Sequence, residues 1–310
     1  MTTFQLDVMN RWENGELFMG PDTCCDGLES RIADLTGRKV DRLLPVQGGY
    51  TNACRRIVRF RDGNTAFAKC ATDRRTGAWL HSEISVYRQL SGDFMADVLA
   101  WDEEEPPLLI LEDLTGNAWP PPWAASRVDM VLDSLATIHG SQASVPEYQE
   151  IFTHRGWHEV AAHPAAFLSI RVASESWLTK CLPTLLEAHD RVEPEGKALV
   201  HLDVRSDNIC FRAGRAVLID WNNACFGNPD LDIAFWLPGL RHEGGPPPQD
   251  ILADAGHLAA YVTGYFASRA GLPDLPHAPL VRKLQRAQLI TGLQWTVQEL
   301  GLPQPDLMES

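Results

Sequence analysis

Several features that would identify other classes of protein are missing from this sequence. Its seven cysteines show neither the C-x-x-C spacing nor the mixed Cys/His spacing of a zinc site, and their odd number predicts reduced thiols rather than a disulfide framework. No apolar run approaches the roughly eighteen residues that a membrane helix requires. Residues Met1–Asp7 have neither the basic start nor the apolar core of a secretory signal. We therefore expect a cytoplasmic protein with no membrane partner.

Basic residues are few relative to acidic ones. The chain has 27 lysines and arginines against 41 aspartates and glutamates, which gives a formal net charge of −14 at pH 7. This balance disfavours a nucleic-acid partner, because phosphates are bound by basic patches. It is compatible with a cationic small molecule, since negative clefts attract positive ligands. Charge alone does not select a substrate, because acidity also keeps a protein in solution.

The most informative stretch lies between residues 199 and 222, where two apolar runs each lead into a polar loop. The first loop contains His201, Asp203 and Asn208 in the pattern H-x-D-x-x-x-x-N, and the second begins with Asp220. This is the spacing of a kinase catalytic loop followed by a metal-binding aspartate. A hydroxyl nucleophile needs a carboxylate that orients it and accepts its proton, and Mg²⁺ on a nucleotide needs oxygen ligands such as Asn and Asp. Each loop alone could be a plain turn with capping side chains, but the two in register favour the catalytic interpretation.

This stretch resembles the aminoglycoside phosphotransferase (APH-like) family of the protein-kinase-like fold, which also contains choline and homoserine kinases. The resemblance rests on the motif residues above and extends to Ile219–Trp221, Gly227–Pro229 and Asp232–Ala234. It implies an α+β fold of two lobes, with a small N-terminal lobe built on an antiparallel sheet and a larger, mostly helical C-terminal lobe. We place the nucleotide-binding lobe at residues 1–113 and the catalytic and substrate-binding lobe at residues 114–310.

The resemblance also implies roles for individual residues of the catalytic stretch. Asp203 would be the base toward the acceptor hydroxyl, while Asn208 and Asp220 would bind Mg²⁺ that bridges the phosphates of ATP or GTP. Arg205 lies where protein kinases place a lysine that contacts the transferring phosphate. An ion pair between Arg205 and Asp207 is the alternative interpretation.

Three further residues are expected to support this loop rather than to react. Asp232 would stiffen the loop by hydrogen bonds, as its family counterpart does, and His201 would support it from within. His139, at the end of a predicted amphipathic helix from Ser126 to His139 with Ser126 as its cap, is interpreted as a packing residue.

The N-terminal region predicts a β-rich block followed by a helix. Strands are expected at Val40–Val46, Arg56–Phe60 and Thr65–Cys70, the last two forming a hairpin around Asp62–Asn64. A helix is expected from Trp79 to Leu90.

Nucleotide-binding residues in this block are assigned by the resemblance. The glycine turn with Gly48, Gly49 and Thr51 would cover the phosphates, since glycine allows backbone N–H groups to approach oxygen. Lys69 on the third strand would pair with the α- and β-phosphates, and Glu83 on the helix would hold the lysine.

Two short strands are expected next, at Val98–Trp101 and Leu108–Leu111. The second runs into Glu112 and Leu114, which resemble the segment that joins the two lobes. There, backbone N–H and C=O groups would recognise the adenine edge, so side-chain identity carries little information.

Three other functions fit the sequence less well than a small-molecule kinase does. A protein kinase is disfavoured, because only a few residues separate Asp220 from Gly227 and no Ala-Pro-Glu follows. A non-catalytic nucleotide-binding protein would usually have lost the base, the metal ligands or the lysine, and all are present. A metal-dependent hydrolase would need more His or carboxylate ligands at metal spacing.

The expected activity is therefore transfer of the γ-phosphate of ATP or GTP to a hydroxyl of an aminoglycoside-like or other small acceptor. Choline, homoserine and sugars remain alternative acceptors within the same fold. The sequence does not distinguish ATP from GTP, does not identify the acceptor and does not indicate an oligomeric state.

Overall fold

The structure, a computed structural model, describes residues 27–46, 52–275, 278 and 280–307. The chain forms two compact units. The first runs to Ala118 and also contains Val217–Asn223, so that Asp220 belongs to it. The second contains Trp119–Ala216 and the chain from Ala224 onward. In the described ranges, no helix has the length and apolar character that crossing a bilayer requires.

The first unit is built on a five-stranded antiparallel sheet in the order β1-β2-β3-β5-β4. Helix α1 precedes the sheet, α2 follows β3, and the short 3₁₀ turn Trp221–Asn223 completes the unit. The bounds are α1 Leu28–Thr36, β1 Val40–Pro45, β2 Cys54–Phe60, β3 Thr65–Cys70, α2 Arg74–Tyr87, β4 Val98–Asp102 and β5 Leu108–Glu112. The predicted antiparallel sheet is confirmed.

The hairpin between β2 and β3 forms at the predicted turn. Gly63 adopts φ 88°, in the left-handed region that glycine enters without a steric penalty. The Asn64 N–H donates to Asp62 Oδ1 at 2.9 Å, which closes the turn locally.

One face of the sheet packs against α1 and forms the core of the first unit. Its buried residues are Leu28, Ile32, Cys54, Val58, Phe60, Ala66, Ala68, Cys70, Leu108 and Ile110. Side chains alternate between the two faces of a strand, so Lys69, between Ala68 and Cys70, lies on the opposite face. In the register of the sheet, Lys69 lies opposite Arg55 of β2 and Leu109 of β5.

Helix α2 begins at Arg74, earlier than the Trp79 predicted from apolar spacing, and the reason is a capping box. The Thr76 N–H donates to Asp73 Oδ1 at 2.7 Å, and the Asp73 N–H donates to Thr76 Oγ1 at 3.0 Å. A reciprocal pair of this kind satisfies donors that a helix N-terminus otherwise leaves without partners. The helix carries Glu83 on its buried side.

The second unit is mostly helical, as the predicted α+β fold requires. Its helices are α3 Ala125–His139, α4 Tyr148–Ile151, α5 Trp157–Ala162, α6 Ala165–Ser169, α7 Glu175–His189, α8 Asp230–His242, α9 Gly256–Ala267 and α10 Val281–Glu299. Short strands lie between α7 and α8: β6 Ala198–Val200, β7 Ile209–Arg212, β8 Arg215–Leu218 and β9 Cys225–Gly227. Strand β6 pairs antiparallel with β9, and β8 continues from the second unit into the first.

The predicted cap of α3 was wrong. The helix begins at Ala125, its N-cap is Ala124, and no side chain caps it. Ser126 lies inside the helix. The apolar face was predicted correctly, since Val128, Val131, Leu135 and Ile138 are buried. Burial of that face, rather than a cap, therefore defines this helix.

The cap of α2 gives the first prediction. Replacing Asp73 with alanine removes the acceptor of the Thr76 N–H, so we expect the free energy of unfolding to fall by about 1 kcal/mol. Urea denaturation measures the change. Asp34→Ala, at an exposed position on α1, is the matched control and should change stability by less than about 0.5 kcal/mol. Equal losses in the two variants would contradict a capping role.

Candidate active site

A buried lysine is held between two carboxylates in the first unit. Lys69 Nζ donates to Glu83 Oε2 at 2.6 Å and to Asp220 Oδ1 at 2.6 Å. Lys69 is 8% exposed and Glu83 only 1%. Lys69 and Glu83 come from the consecutive elements β3 and α2, whereas Asp220, in the loop after β8, is 151 residues from Lys69 in the sequence. The structure therefore brings together three residues that the sequence assigned to nucleotide and metal binding.

The two carboxylates keep the lysine charged. Burial by itself would lower the pKa of Lys69, but the neighbouring charges of Asp220 and Glu83 raise this pKa above its ordinary value. Lys69 is therefore a protonated cation at neutral pH, with its head group fixed by two charge-assisted hydrogen bonds. An ammonium held in this way is suited to binding phosphate oxygens.

Asp220 lies in a turn whose backbone is held by its aromatic neighbour. The backbone of Asp220 has φ 67°, the left-handed region that Asp enters more readily than most residues. The following Trp221 is fully buried, and its Nε1–H donates to the Leu218 carbonyl at 3.1 Å. The Leu218 N–H in turn donates to the Phe94 carbonyl at 2.8 Å. These contacts fix where the Asp220 carboxylate points.

The second unit holds the predicted catalytic loop. Asn208 Nδ2 donates to both the backbone carbonyl and Oδ2 of Asp203, each at 2.9 Å. The amide nitrogen of Asn208 is thus occupied by Asp203, which leaves its carbonyl oxygen as the group that Asn208 can offer to a cation. A carboxylate and an amide from the same loop are oriented by one another.

Arg205 makes the contact that the alternative interpretation expected. Its Nε and Nη2 donate to the two carboxylate oxygens of Asp207 at 2.8 and 2.9 Å. Its Nη1 also lies 3.4 Å from Asp203 Oδ1. Arg205 therefore bridges the carboxylates on either side of it, and its positive charge is next to Asp203.

A buried aspartate supports the loop just before Asp203. Asp232, fully buried in the first turn of α8, accepts hydrogen bonds from the N–H groups of His201 at 2.9 Å and Leu202 at 2.6 Å. Its Oδ2 also lies 3.0 Å from His139 Nε2. Leu202 has φ 54°, a conformation that costs energy for an ordinary side chain and persists only where neighbours impose it.

His139 was interpreted from sequence as a packing residue only, and its hydrogen bond to Asp232 was not foreseen. The two residues are far apart in the chain, so no local pattern indicated the pair. The expected stiffening of the loop by Asp232 agrees with the hydrogen bonds observed.

The remaining predicted site residues are Glu112, Leu114, Gly48, Gly49 and Thr51. Glu112 ends β5, and its Oε1 accepts from the Asp97 N–H at 2.9 Å. Leu114 is buried, and its carbonyl accepts from the Asn117 N–H at 3.0 Å. Gly48, Gly49 and Thr51 lie outside the described residues. Within the part of the chain that is described, no group of three or more His, Cys, Asp or Glu is arranged to hold a metal ion.

The fold and these residues define a class of protein, the phosphotransferases of the protein-kinase-like fold. The sequence pattern of the phosphotransferase enzyme family (APH) matches residues 42–272, which is most of the chain. The protein therefore belongs to this family of small-molecule kinases and is a phosphotransferase with an alcohol group as acceptor. No curated protein sequence matches the chain significantly.

Solved structures share the fold at low sequence identity. A thermostable mutant of aminoglycoside phosphotransferase APH(4)-Ia, in a ternary complex with AMP-PNP and hygromycin B, is 18% identical with a TM-score of 0.57, covering 89% of this chain and 98% of that one. Spectinomycin phosphotransferase APH(9)-Ia, with ADP and spectinomycin, is 12% identical with a TM-score of 0.57 and covers 89% and 97%. Amicoumacin kinase hAmiN, with AMP-PNP, Ca²⁺ and Ami, is 12% identical with a TM-score of 0.55 and covers 86% and 93%.

The buried ion pairs of the first unit generate a prediction about stability. Lys69→Met leaves two carboxylates without their cation, and breaking a buried pair in this way should lower the free energy of unfolding at pH 7 by about 3–5 kcal/mol. Without the lysine, burial raises the pKa of Glu83 in the folded state. Protonation then removes the buried charge, so the deficit should shrink as the pH falls from 7 toward 5.

Urea denaturation at several pH values measures this deficit. Lys180→Met, at an exposed position on α7, is the matched control and should show almost no loss at any pH. A deficit for Lys69→Met that stays constant between pH 7 and 5 would show that Glu83 carries no charge in need of compensation.

Proposed function

We propose that the protein is an ATP-dependent kinase, with GTP as the alternative donor, that transfers the γ-phosphate to a hydroxyl of a small molecule. The observation that carries this proposal is the convergence of Lys69, Glu83 and Asp220. Two hydrogen bonds of 2.6 Å join Lys69 to Glu83 and to Asp220, which is 151 residues away in the sequence, and they fix a cation on the face of the sheet that does not pack against α1. This is the arrangement that a kinase uses to bind nucleotide phosphates.

Each residue of the proposed site then has a distinct role. Lys69 binds the α- and β-phosphates, and Glu83 holds its head group in place. Asp203 orients the acceptor hydroxyl and takes up its proton, a role for which the hydrogen bonds from Asn208 pre-orient its carboxylate. Arg205 lies next to Asp203 and contributes positive charge toward the transferring phosphate, to the extent that Asp207 does not neutralise the charge of Arg205.

The donor set fits a hard divalent cation. Asn208 offers an amide oxygen and Asp220 a carboxylate, which are the oxygen ligands that Mg²⁺ prefers. We assign Asn208 and Asp220 to hold Mg²⁺, which when bound neutralises charge on the phosphates. The backbone from Glu112 to Leu114 and the turn with Gly48, Gly49 and Thr51 are assigned to the adenine edge and the phosphates.

An antibiotic is the acceptor that we favour. The similar solved structures include kinases in complex with hygromycin B, spectinomycin and Ami, and a net charge of −14 is compatible with a cationic acceptor. A role in antibiotic resistance in the cytoplasm follows from this choice. Choline, homoserine and sugar acceptors belong to the same reaction class and are distinguished by experiment.

The proposal is tested by acceptor-dependent turnover of ATP and GTP with Mg²⁺, over a panel of aminoglycosides, other antibiotics, amino alcohols and sugars. We expect Asp203→Asn to reduce kcat by about 10²–10⁴-fold, the usual contribution of a positioned base, while nucleotide binding is retained. Asp129→Ala, an exposed aspartate on α3, is the control and should leave kcat unchanged.

Two outcomes would each contradict a different part of the proposal. Turnover that is insensitive to Asp203→Asn removes this residue from the chemistry. A failure to bind any Mg²⁺–nucleotide shows that the assignments of Lys69, Asn208 and Asp220 are wrong.

A further inference from the structure

Besides Asp232, a second carboxylate from outside the catalytic loop contacts it. Glu243 directly follows α8, and its Oε1 accepts a hydrogen bond from Ser206 Oγ at 2.6 Å. Its Oε2 accepts from Trp123 Nε1–H at 2.8 Å. Ser206 opens the 3₁₀ turn Ser206–Asn208, so Glu243 holds the turn that carries Asn208.

The position of Glu243 is unfavourable for an acid on its own. The C-terminal end of a helix carries partial negative charge, so cations are favoured there and anions are disfavoured. The last turn of α8 follows this rule with Arg241 and His242, whereas Glu243 does not. Two hydrogen bonds to its carboxylate offset the cost, which indicates that the acid is placed there for these contacts.

The tryptophan side of the contact is rigid. Trp123 is 9% exposed, and its ring packs edge-on against Trp236 of α8 at 5.4 Å between centroids and Phe211 of β7 at 6.2 Å. A side chain confined on two sides has little freedom to follow movements of Glu243. The carboxylate is therefore anchored at Oε2, and its Oε1 provides a fixed point for Ser206.

The loop is consequently held on both sides of the catalytic residue by one helix. Asp232, in the first turn of α8, binds the N–H groups of His201 and Leu202 ahead of Asp203. Glu243, at the other end of α8, binds Ser206 after it. Asp203 lies between these two points, and Asn208, two residues after Ser206, donates to it.

We propose that Glu243 is a positioning residue for phosphoryl transfer, acting through Ser206 on the mutual orientation of Asn208 and Asp203. The effect of Glu243 on phosphoryl transfer rests on the proposed function. The ordering of the loop by Glu243 through Ser206 does not. Loss of the Ser206–Glu243 bond releases the 3₁₀ turn, which weakens the hold of Asn208 on Mg²⁺ and misorients Asp203. The nucleotide affinity set by Lys69 is unaffected.

The test compares Ser206→Ala, Glu243→Ala and the double variant in the full-length chain. Ser174→Ala is the matched control, because Ser174 Oγ also donates to a carboxylate, Asp306 Oδ2 at 2.5 Å, and caps α7. It removes a comparable serine–carboxylate bond away from the catalytic loop. Hydrogen exchange of the loop amides, including the Asn208 N–H that donates to the Arg205 carbonyl at 2.9 Å, reports loop order without requiring activity.

We expect amides of residues 201–208 to exchange about tenfold faster in Ser206→Ala and Glu243→Ala but not in Ser174→Ala, in line with the loss of the Ser206 hydrogen bond to a charged group. In turnover assays kcat should fall about tenfold and the Mg²⁺ concentration for half-maximal rate should rise, with KM for ATP unchanged. Because the two single changes break the same bond, the double variant should be no slower than the slower single variant.

Loop exchange that is unchanged in Ser206→Ala, or that is raised equally in Ser174→Ala, overturns the proposal. Strictly additive effects of the two substitutions on kcat also overturn it. If the wild-type protein has no phosphotransfer activity toward any acceptor in the panel, the proposed function fails, and the exchange measurement still decides whether Glu243 orders the loop.

Discussion

The first unit of the molecule depends on a buried cation shared by two carboxylates. Taking Lys69 and Glu83 out of water is costly, and the cost is recovered only when the charges are paired at short distance with good geometry. Strand β3, helix α2 and the turn after β8 each contribute one of the three groups. Displacing β3 or α2 separates Lys69 from Glu83 and leaves a buried charge uncompensated, so this ion pair constrains how the strand and the helix pack.

Carboxylates also organise the catalytic loop, but they do so through hydrogen bonds rather than ion pairs. Asp232 accepts from two consecutive backbone N–H groups and thereby stabilises the left-handed conformation of Leu202. A loop with a strained residue directly before Asp203 needs such support, because strain persists only where the surroundings impose it. Helix α8 supplies this support through Asp232.

The reaction class and the acceptor rest on different parts of the chain. Phosphotransfer follows from family membership over residues 42–272 and from short motifs whose residue types are dictated by phosphate and metal chemistry. The resemblance assigns acceptor recognition to the helical unit, where any one aromatic residue is as easily explained by core packing as by ligand binding. A shared fold therefore does not identify the substrate.

Much of the fold was predictable from the sequence, because the signals were local. The hairpin at Asp62–Asn64 and the burial of one face of α3 follow from turn chemistry and periodicity that neighbouring residues alone express. The start of α2 was misplaced, since apolar spacing takes no account of the capping box between Asp73 and Thr76, and the cap of α3 was misassigned because burial, not capping, starts that helix.

The site, like the fold, was predictable from the sequence only in part. Sequence alone indicated which residues could do the chemistry, since Asp203, Asn208 and Asp220 stand at the spacing of a kinase catalytic loop and its metal-binding aspartate, and the resemblance adds Lys69. The resemblance had already placed Glu83 beside Lys69. Only the tertiary structure decided that Lys69 also meets Asp220, that His139 meets Asp232 and that Glu243 meets Ser206. These pairs join residues far apart in the chain, and their formation depends on how helices and strands pack, which no local pattern of residues encodes.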